Sequence, residues 1–177
     1  MAHLLYQWND LDAAQEHGQK SSKLARQIEG VDTPATCRVL LARLQLAHGD
    51  VAGAADLLAE ADRFVQRHNF VHLIPDVTAV QVLVLLQQGN LAAAADLAEK
   101  HDLPISLARV HLAQGDTALA LAVLESLRQQ AEAKGWQDEQ LKTLVLLAVA
   151  YHAHGEKEKA LLLLGEALAL AKPGGFI

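Results

Sequence analysis

Arg43 and Arg109 stand at one register of a repeated pattern: each lies six residues before a glycine turn, Gly49-Asp50 for the first and Gly115-Asp116 for the second. A guanidinium presents a planar fork of donors that matches a carboxylate or a phosphate. The pair raises the hypothesis of an anionic peptide or ligand, although two solvated or internally paired arginines are the favoured reading. Aligning the remaining turns sets Thr36, Asp76, Gln87, Lys142 and His152 beside them as candidates to face the groove of a stacked-helix fold.

Other reactive side chains carry less. The chain has nine histidines, but neither metal-binding spacing nor a cysteine pair accompanies them. His68 and His72 are four apart with an expected helix break between them, and His152 and His154 point to different faces of one helix. No metal and no cofactor is expected. The single Cys37 has no base at short range and reads as a small core filler. Asp138 and Glu139 sit at an expected helix start, where carboxylates complement the helix dipole. Glu156-Lys157-Glu158-Lys159 reads as a solvated helix face. Trp8 and Trp136 fall near helix ends, and packing against the next element is favoured over a role as exposed anchors. With no catalytic constellation, the chain is not expected to be an enzyme.

Composition narrows the partners. Net charge is −6 across 177 residues, which argues against direct nucleic-acid contact and against an anionic membrane surface. No apolar run approaches the ~20 residues of a membrane span. Residues 1–10 lack the basic and apolar regions of a signal peptide. One cysteine and no leader make a cytoplasmic setting the expectation. Hydrophobic content is 51% with only 4% aromatic, so Ala and Leu carry the apolar load, and both favour helix over strand.

The elements that position these residues follow from the turns. Asn9-Asp10, Gly49-Asp50, Gly89-Asn90, Gly115-Asp116 and Gly155-Glu156 punctuate the chain at steps of 40, 40, 26 and 40 residues. An alanine stands five residues after every turn: Ala14, Ala54, Ala94, Ala120 and Ala160. Glycine accepts the left-handed backbone that ends a helix, and the alanine lets the second helix approach the first. The spacing predicts helix pairs over 2–8 with 10–29, 33–48 with 50–68, 72–88 with 90–100, 103–114 with 116–134, and 138–154 with 156–171. Thr33 is the expected N-cap of its helix, with Pro34 at the first helical position, and Asp50 caps the next. Apolar stripes are expected at Ala54, Leu57, Leu58 and Ala61; at Leu141, Leu144, Val145, Ala148 and Tyr151; and at Ala160, Leu161, Leu164, Ala167, Leu168 and Ala171. Lys172-Pro173-Gly174-Gly175 stops the last helix. A single pair cannot bury its own apolar face, so neighbours must stack. The fold class is all-α: an α-solenoid of antiparallel helix pairs, a tetratricopeptide-like superhelix, with residues 1–177 as one repeat domain whose first repeat is truncated. The usual period is about 34 residues, so a 40-residue step implies helices longer by most of a turn each.

The last repeat resembles the tetratricopeptide pattern through Leu144, Leu147, Ala148, Tyr151, Ala160, Leu164 and Ala167. A narrower resemblance rests on three stretches: 5–14, reading LYQWNDLDAA; 107–115, reading LARVHLAQG; and 167–176, reading ALALAKPGGF. Together they resemble the helical-repeat region of large LuxR-type, maltose-activator-like ATP-dependent bacterial transcription regulators. That resemblance implies a sensing module that binds an effector or a regulatory protein and controls self-association, placed between a nucleotide switch and a DNA reader. Neither flanking part is in this sequence, so the expectation is a fragment of a larger regulator or a stand-alone relative. The alternative is a free-standing tetratricopeptide-like scaffold for protein–protein interaction. Expected partners are a protein or small-molecule effector and a second copy of the chain. This chain departs from the family's pattern at the 26-residue step, where Asp102-Leu103-Pro104-Ile105 reads as a tight join across a deletion.

Overall fold

A computed structural model describes residues 1–25 and 31–171. These residues form α1 (Ala2–Gln7), α2 (Leu11–Ala25), α3 (Thr33–Ala47), α4 (Val51–His68), α5 (Ile74–Gln87), α6 (Leu91–Lys100), α7 (Pro104–Gln114), α8 (Thr117–Lys134), α9 (Gln137–His154) and α10 (Lys157–Ala171), with one 3-10 turn at Val71–Leu73. The fold class is the one the spacing predicts: all-α, in consecutive antiparallel pairs stacked as in a tetratricopeptide solenoid. The expected extension of α2 to residue 29 and the stop at Lys172-Pro173-Gly174-Gly175 lie outside the described residues.

The helices group into two compact units, Met1–Leu97 and Ala98–Ile177. In the first, α1 packs on α2, α2 on α3, α3 on α4, and α4 and α3 on α5. In the second, α7 packs on α8, α8 on α9, α9 on α10, and α7 reaches α9. Within the units, α3 thus touches its own partner α4 and the next leading helix α5, and α7 touches α8 and α9, as stacking requires.

Every turn of the ladder ends its helix in the same way. Gly49, Gly89, Gly115 and Gly155 have φ between 75° and 97°, and Asn9 takes φ 58° in the place of a glycine. At Gly155, the amide of Glu156 donates to the carbonyl of Tyr151 and that of Gly155 to His152. This is the paired Schellman bonding that satisfies the last orphan carbonyls. Asp50 caps α4 as expected: its Oδ1 accepts from the amide of Gly53 at 2.8 Å. Asp10 and Asn90 accept equivalent bonds from Ala13 and Ala93.

A second ladder interleaves with the first. Asn69, Asp102 and Gly135 are also left-handed, with φ of 56°, 50° and 68°, and they stand 33 residues apart. They join one pair to the next. Counted between these turns the period is close to the usual ~34. The 26-residue step arises because it spans the trailing half of one pair and the leading half of the next, and both are short: α6 has 10 residues and α7 has 11. The expected join is there, with Asp102 left-handed and Pro104 in the first turn of α7.

The small residues pack as argued. Ala14, Ala54, Ala94, Ala120 and Ala160 are all buried. Leu58, Ala61 and Val65 of α4 share a core with Val77, Val80 and Val84 of α5. Leu124 of α8 shares one with Leu144, Leu147 and Ala150 of α9 and Leu163 of α10.

Four expectations are corrected. The N-cap of α3 is Asp32 rather than Thr33, which already lies in the helix. On α10 the buried residues are Ala160, Leu163, Ala167 and Ala171, whereas Leu161, Leu164 and Leu168 are exposed. On α9, Val145 is exposed while Leu144, Ala148 and Tyr151 are buried. Trp8 and Trp136 are more than half exposed rather than packed in a core, and Trp136 is instead covered on one face by the Lys134 ammonium, 4.2 Å from the ring centroid.

Candidate interaction surface

All seven candidate residues fall on leading helices. In the first unit Thr36 and Arg43 lie on α3, and Asp76 and Gln87 on α5, two helices in mutual contact. Thr36 is exposed, and its hydroxyl donates to the carbonyl of Asp32 at 3.4 Å. Arg43 is half-buried, Asp76 lies in the first turn of α5, and Gln87 is exposed in its last turn. In the second unit Arg109 is half-buried on α7, while Lys142 and His152 are exposed on α9, which α7 touches. Lys142 Nζ donates to Glu139 Oε1 at 2.9 Å on its own helix. The structure thus brings Thr36 and Arg43 onto a helix beside that of Asp76 and Gln87, and Arg109 onto a helix beside that of Lys142 and His152. Arg43 and Arg109 belong to different units.

Several polar contacts were not foreseen. Asp32 Oδ2 meets His72 Nε2 at 3.1 Å, between residues one 40-residue step apart. Arg38 donates to Glu60 at 3.2 Å and to the carbonyl of Pro34 at 3.0 Å, with its guanidinium 5.5 Å from the Phe64 centroid. Arg128 donates to Glu132 at 2.7 Å and to Glu166 at 3.1 Å, and the hydrogen bond it gives Glu132 raises its pKa further. Tyr151 donates to Glu125 at 2.8 Å. Spacing near one repeat is the available signal for two of these pairs, Asp32 with His72 and Arg128 with Glu166.

Among the described residues no group of three or more His, Cys, Asp or Glu side chains is placed to hold a metal. Asn69, in the left-handed conformation, separates His68 from His72. Cys37 is buried, and burial pushes its thiol above the ordinary value. A shallow depression at the α9–α10 turn is lined by Gly155, Glu156, Lys157, Glu158, Lys159 and Leu162. All of these are exposed. No helix among the described residues is long and apolar enough to cross a membrane.

Helix pairs closed by left-handed turns, small residues at the intra-pair contact and leading helices packed side by side define a tetratricopeptide-type helical repeat. The particular family is shown by comparison: residues 1–177 match the family described as the MalT-like TPR region, and the chain belongs to it. It is similar to the HTH-type transcriptional regulator MalT of Cronobacter sakazakii (strain ATCC BAA-894), at 29% identity over 189 residues, covering 99% of this chain and 21% of that protein. The MalT of Klebsiella pneumoniae (strain 342) is also 29% identical, over 195 residues, covering 98% of this chain and 21% of that protein. The chain therefore spans 21% of the length of these curated relatives. Among solved structures, a Podosopora anserina kinesin light chain with nearly identical TPR-like repeats aligns over 97% of this chain and 92% of its own, at 20% identity and a TM-score of 0.54. A point variant of the same protein aligns over 98% and 92%, at 21% identity and a TM-score of 0.56. At that identity the likeness is one of fold.

Proposed function

We propose that this chain is a protein-interaction module whose leading helices present the binding side chains, with Arg43 in the first unit and Arg109 in the second each meeting a carboxylate of an acidic peptide. The observation that carries the reading is the match of the whole chain to a tetratricopeptide-type family. Such repeats use the exposed surface of their leading helices for binding. Thr36, Asp76, Gln87, Lys142 and His152 supply polar contacts on the same helices.

The finer reading is that the module serves as the sensor region of a LuxR-type regulator. There it takes an effector or regulatory protein, controls self-association, works in the cytoplasm and leaves DNA contact to another part. Its support is the likeness to two transcriptional regulators along almost all of this chain. The net charge of −6 agrees with a module that does not itself hold DNA.

Titration of a fluorescent Glu-rich peptide tests the first reading. Arg43→Ala or Arg109→Ala is expected to weaken binding about tenfold, the worth of one charge-assisted hydrogen bond. Unchanged affinity in both variants overturns the anionic-partner assignment. The sensor reading is tested in the gene. Continuation of the reading frame into a helix-turn-helix supports it, and a stop codon directly after Ile177 favours the free-standing scaffold.

A further inference from the structure

Arg43 and Asp76 are charges of opposite sign on neighbouring leading helices of the first unit, and neither is neutralised there. Arg43 lies six residues before the turn glycine that follows α3, and Asp76 thirteen residues before the one that follows α5. The two helices are in contact and interior to the chain: α2 precedes α3 and α6 follows α5. Arg43 is half-buried and Asp76 is exposed. Among the described residues, no hydrogen bond or ion pair reaches the guanidinium of Arg43 or the carboxylate of Asp76.

Arg38 shows what the same side chain does when an acceptor is near. It is on the same helix, is also half-buried, and bonds both Glu60 and the carbonyl of Pro34. A partly desolvated guanidinium gains from such a partner, because its donors otherwise give up water without replacement. Arg43 has no such acceptor. Asp76 lies in the first turn of α5, where its charge complements the helix dipole, but that role leaves its oxygens open to a donor.

Register sets the distance between the two charges. Successive leading helices of antiparallel pairs run the same way, so an offset of seven residues places the charges about 10 Å apart along the groove. The same two stripes carry apolar side chains: Val39, four residues before Arg43, is buried, and Leu83, seven after Asp76, packs on the core of the unit. A segment lying on them meets a cation towards one end of an apolar floor and an anion towards the other. In a polyproline-II segment, residues three apart share a face and stand about 9 Å apart, which matches the offset.

We propose that the peptide taken up by the first unit carries both signs: an acidic residue for Arg43 and, three positions away, a basic residue for Asp76. This rests on the reading of the chain as an interaction module for an acidic peptide, and it narrows the partner to one whose acidic segment contains a lysine or arginine. The second unit differs at the corresponding places. Arg109 stands at the register of Arg43, but Lys142 stands at that of Asp76, so no anion is presented there.

Two fluorescent peptides of equal length test it, one Glu-rich throughout and one with a single central lysine in place of glutamate. The unmodified chain is expected to bind the lysine-bearing peptide about fivefold more tightly, the worth of one exposed ion pair. Asp76→Asn is expected to abolish the preference and Asp76→Lys to invert it, both with unchanged circular dichroism because the side chain is exposed. Asp56→Asn makes the same charge change at an exposed position of trailing helix α4 and is expected to keep the preference. Equal loss in that variant would mean that net charge alone sorts the peptides, and overturns the proposal, as does a preference that survives Asp76→Asn. Proline-rich competitors with one glutamate and one lysine test the spacing: the pair three apart is expected to compete better than the pair side by side, and equal competition, or none, overturns it. Equal binding of both Glu-rich peptides, lost together in Arg43→Ala, removes the role of Asp76 and leaves the acidic-partner reading standing. Failure to bind either peptide overturns both.

Discussion

The hydroxyl of Tyr151 on α9 donates to Oε1 of Glu125 on α8 at 2.8 Å, tying a leading helix to the trailing helix of the preceding pair. Tyr151 is otherwise buried, and the Lys159 ammonium stands 3.8 Å from the centroid of its ring. One side chain thus joins three helices: apolar packing on α9, a charge-assisted bond to α8 and a cation–π contact from α10.

Tyr151→Phe keeps the ring and removes the donor. Glu125 is half-buried, so water replaces part of the lost bond, and the expected cost is about 1 kcal/mol. Urea denaturation checks it: the midpoint falls and the slope stays the same.

Leu124→Ala and Leu164→Ala make the same chemical change at the same register in different surroundings. Leu124 is fully buried, so its truncation leaves a cavity and is expected to cost about 2–5 kcal/mol. Leu164 is exposed, and its truncation in a dilute, monomeric sample is expected to change stability by less than about 1 kcal/mol. Thermal unfolding of the two variants side by side measures the difference, and equal losses would contradict the stacking register.

The left-handed turns separate backbone strain from packing. At Gly155, with φ 97°, an added Cβ meets nothing within 4 Å. Gly155→Ala therefore carries only the conformational penalty, expected at about 1 kcal/mol. Asp102 already bears that strain at φ 50°, and Asp102→Gly is expected to recover a few tenths of a kcal/mol. Chemical denaturation of both variants should give shifts of opposite sign.

Cys37 is buried, and its thiol titrates above the ordinary range because burial penalises the thiolate. The thiolate is the nucleophile. The native chain is expected to react slowly with a disulfide reagent at pH 7, with a sharp rise in rate across the urea transition.

The legible part of the fold is the part written in backbone chemistry. Asn9 replaces a glycine and adopts φ 58° because asparagine tolerates the left-handed region. Asp50, three residues before Gly53, caps α4 as an N-cap aspartate should. The illegible part depends on which arc of a helix meets a neighbour. Residues 161–164 read Leu-Leu-Leu-Leu, so every arc there is apolar and periodicity has nothing to choose between; the structure buries Leu163 and exposes the other three. The candidate site divides in the same way. Register placed all seven residues on leading helices. The 40-residue spacing of Asp32 and His72 hints at their pairing, but it depends on how the 3-10 turn at Val71–Leu73 meets the start of α3.

Contacts between helices that are near neighbours in sequence also set how the chain reaches its native state. Among the described residues, the main contacts of α1 through α5 and of α7 through α10 are with the next helix or the one after it. Every such contact closes a short loop, so little chain entropy is lost before apolar burial begins to compensate for it. Topologies of this kind fold fast for their size. Each pair can act as a nucleus on which the next condenses, and a defect in one turn of the ladder slows its neighbours before it slows the whole.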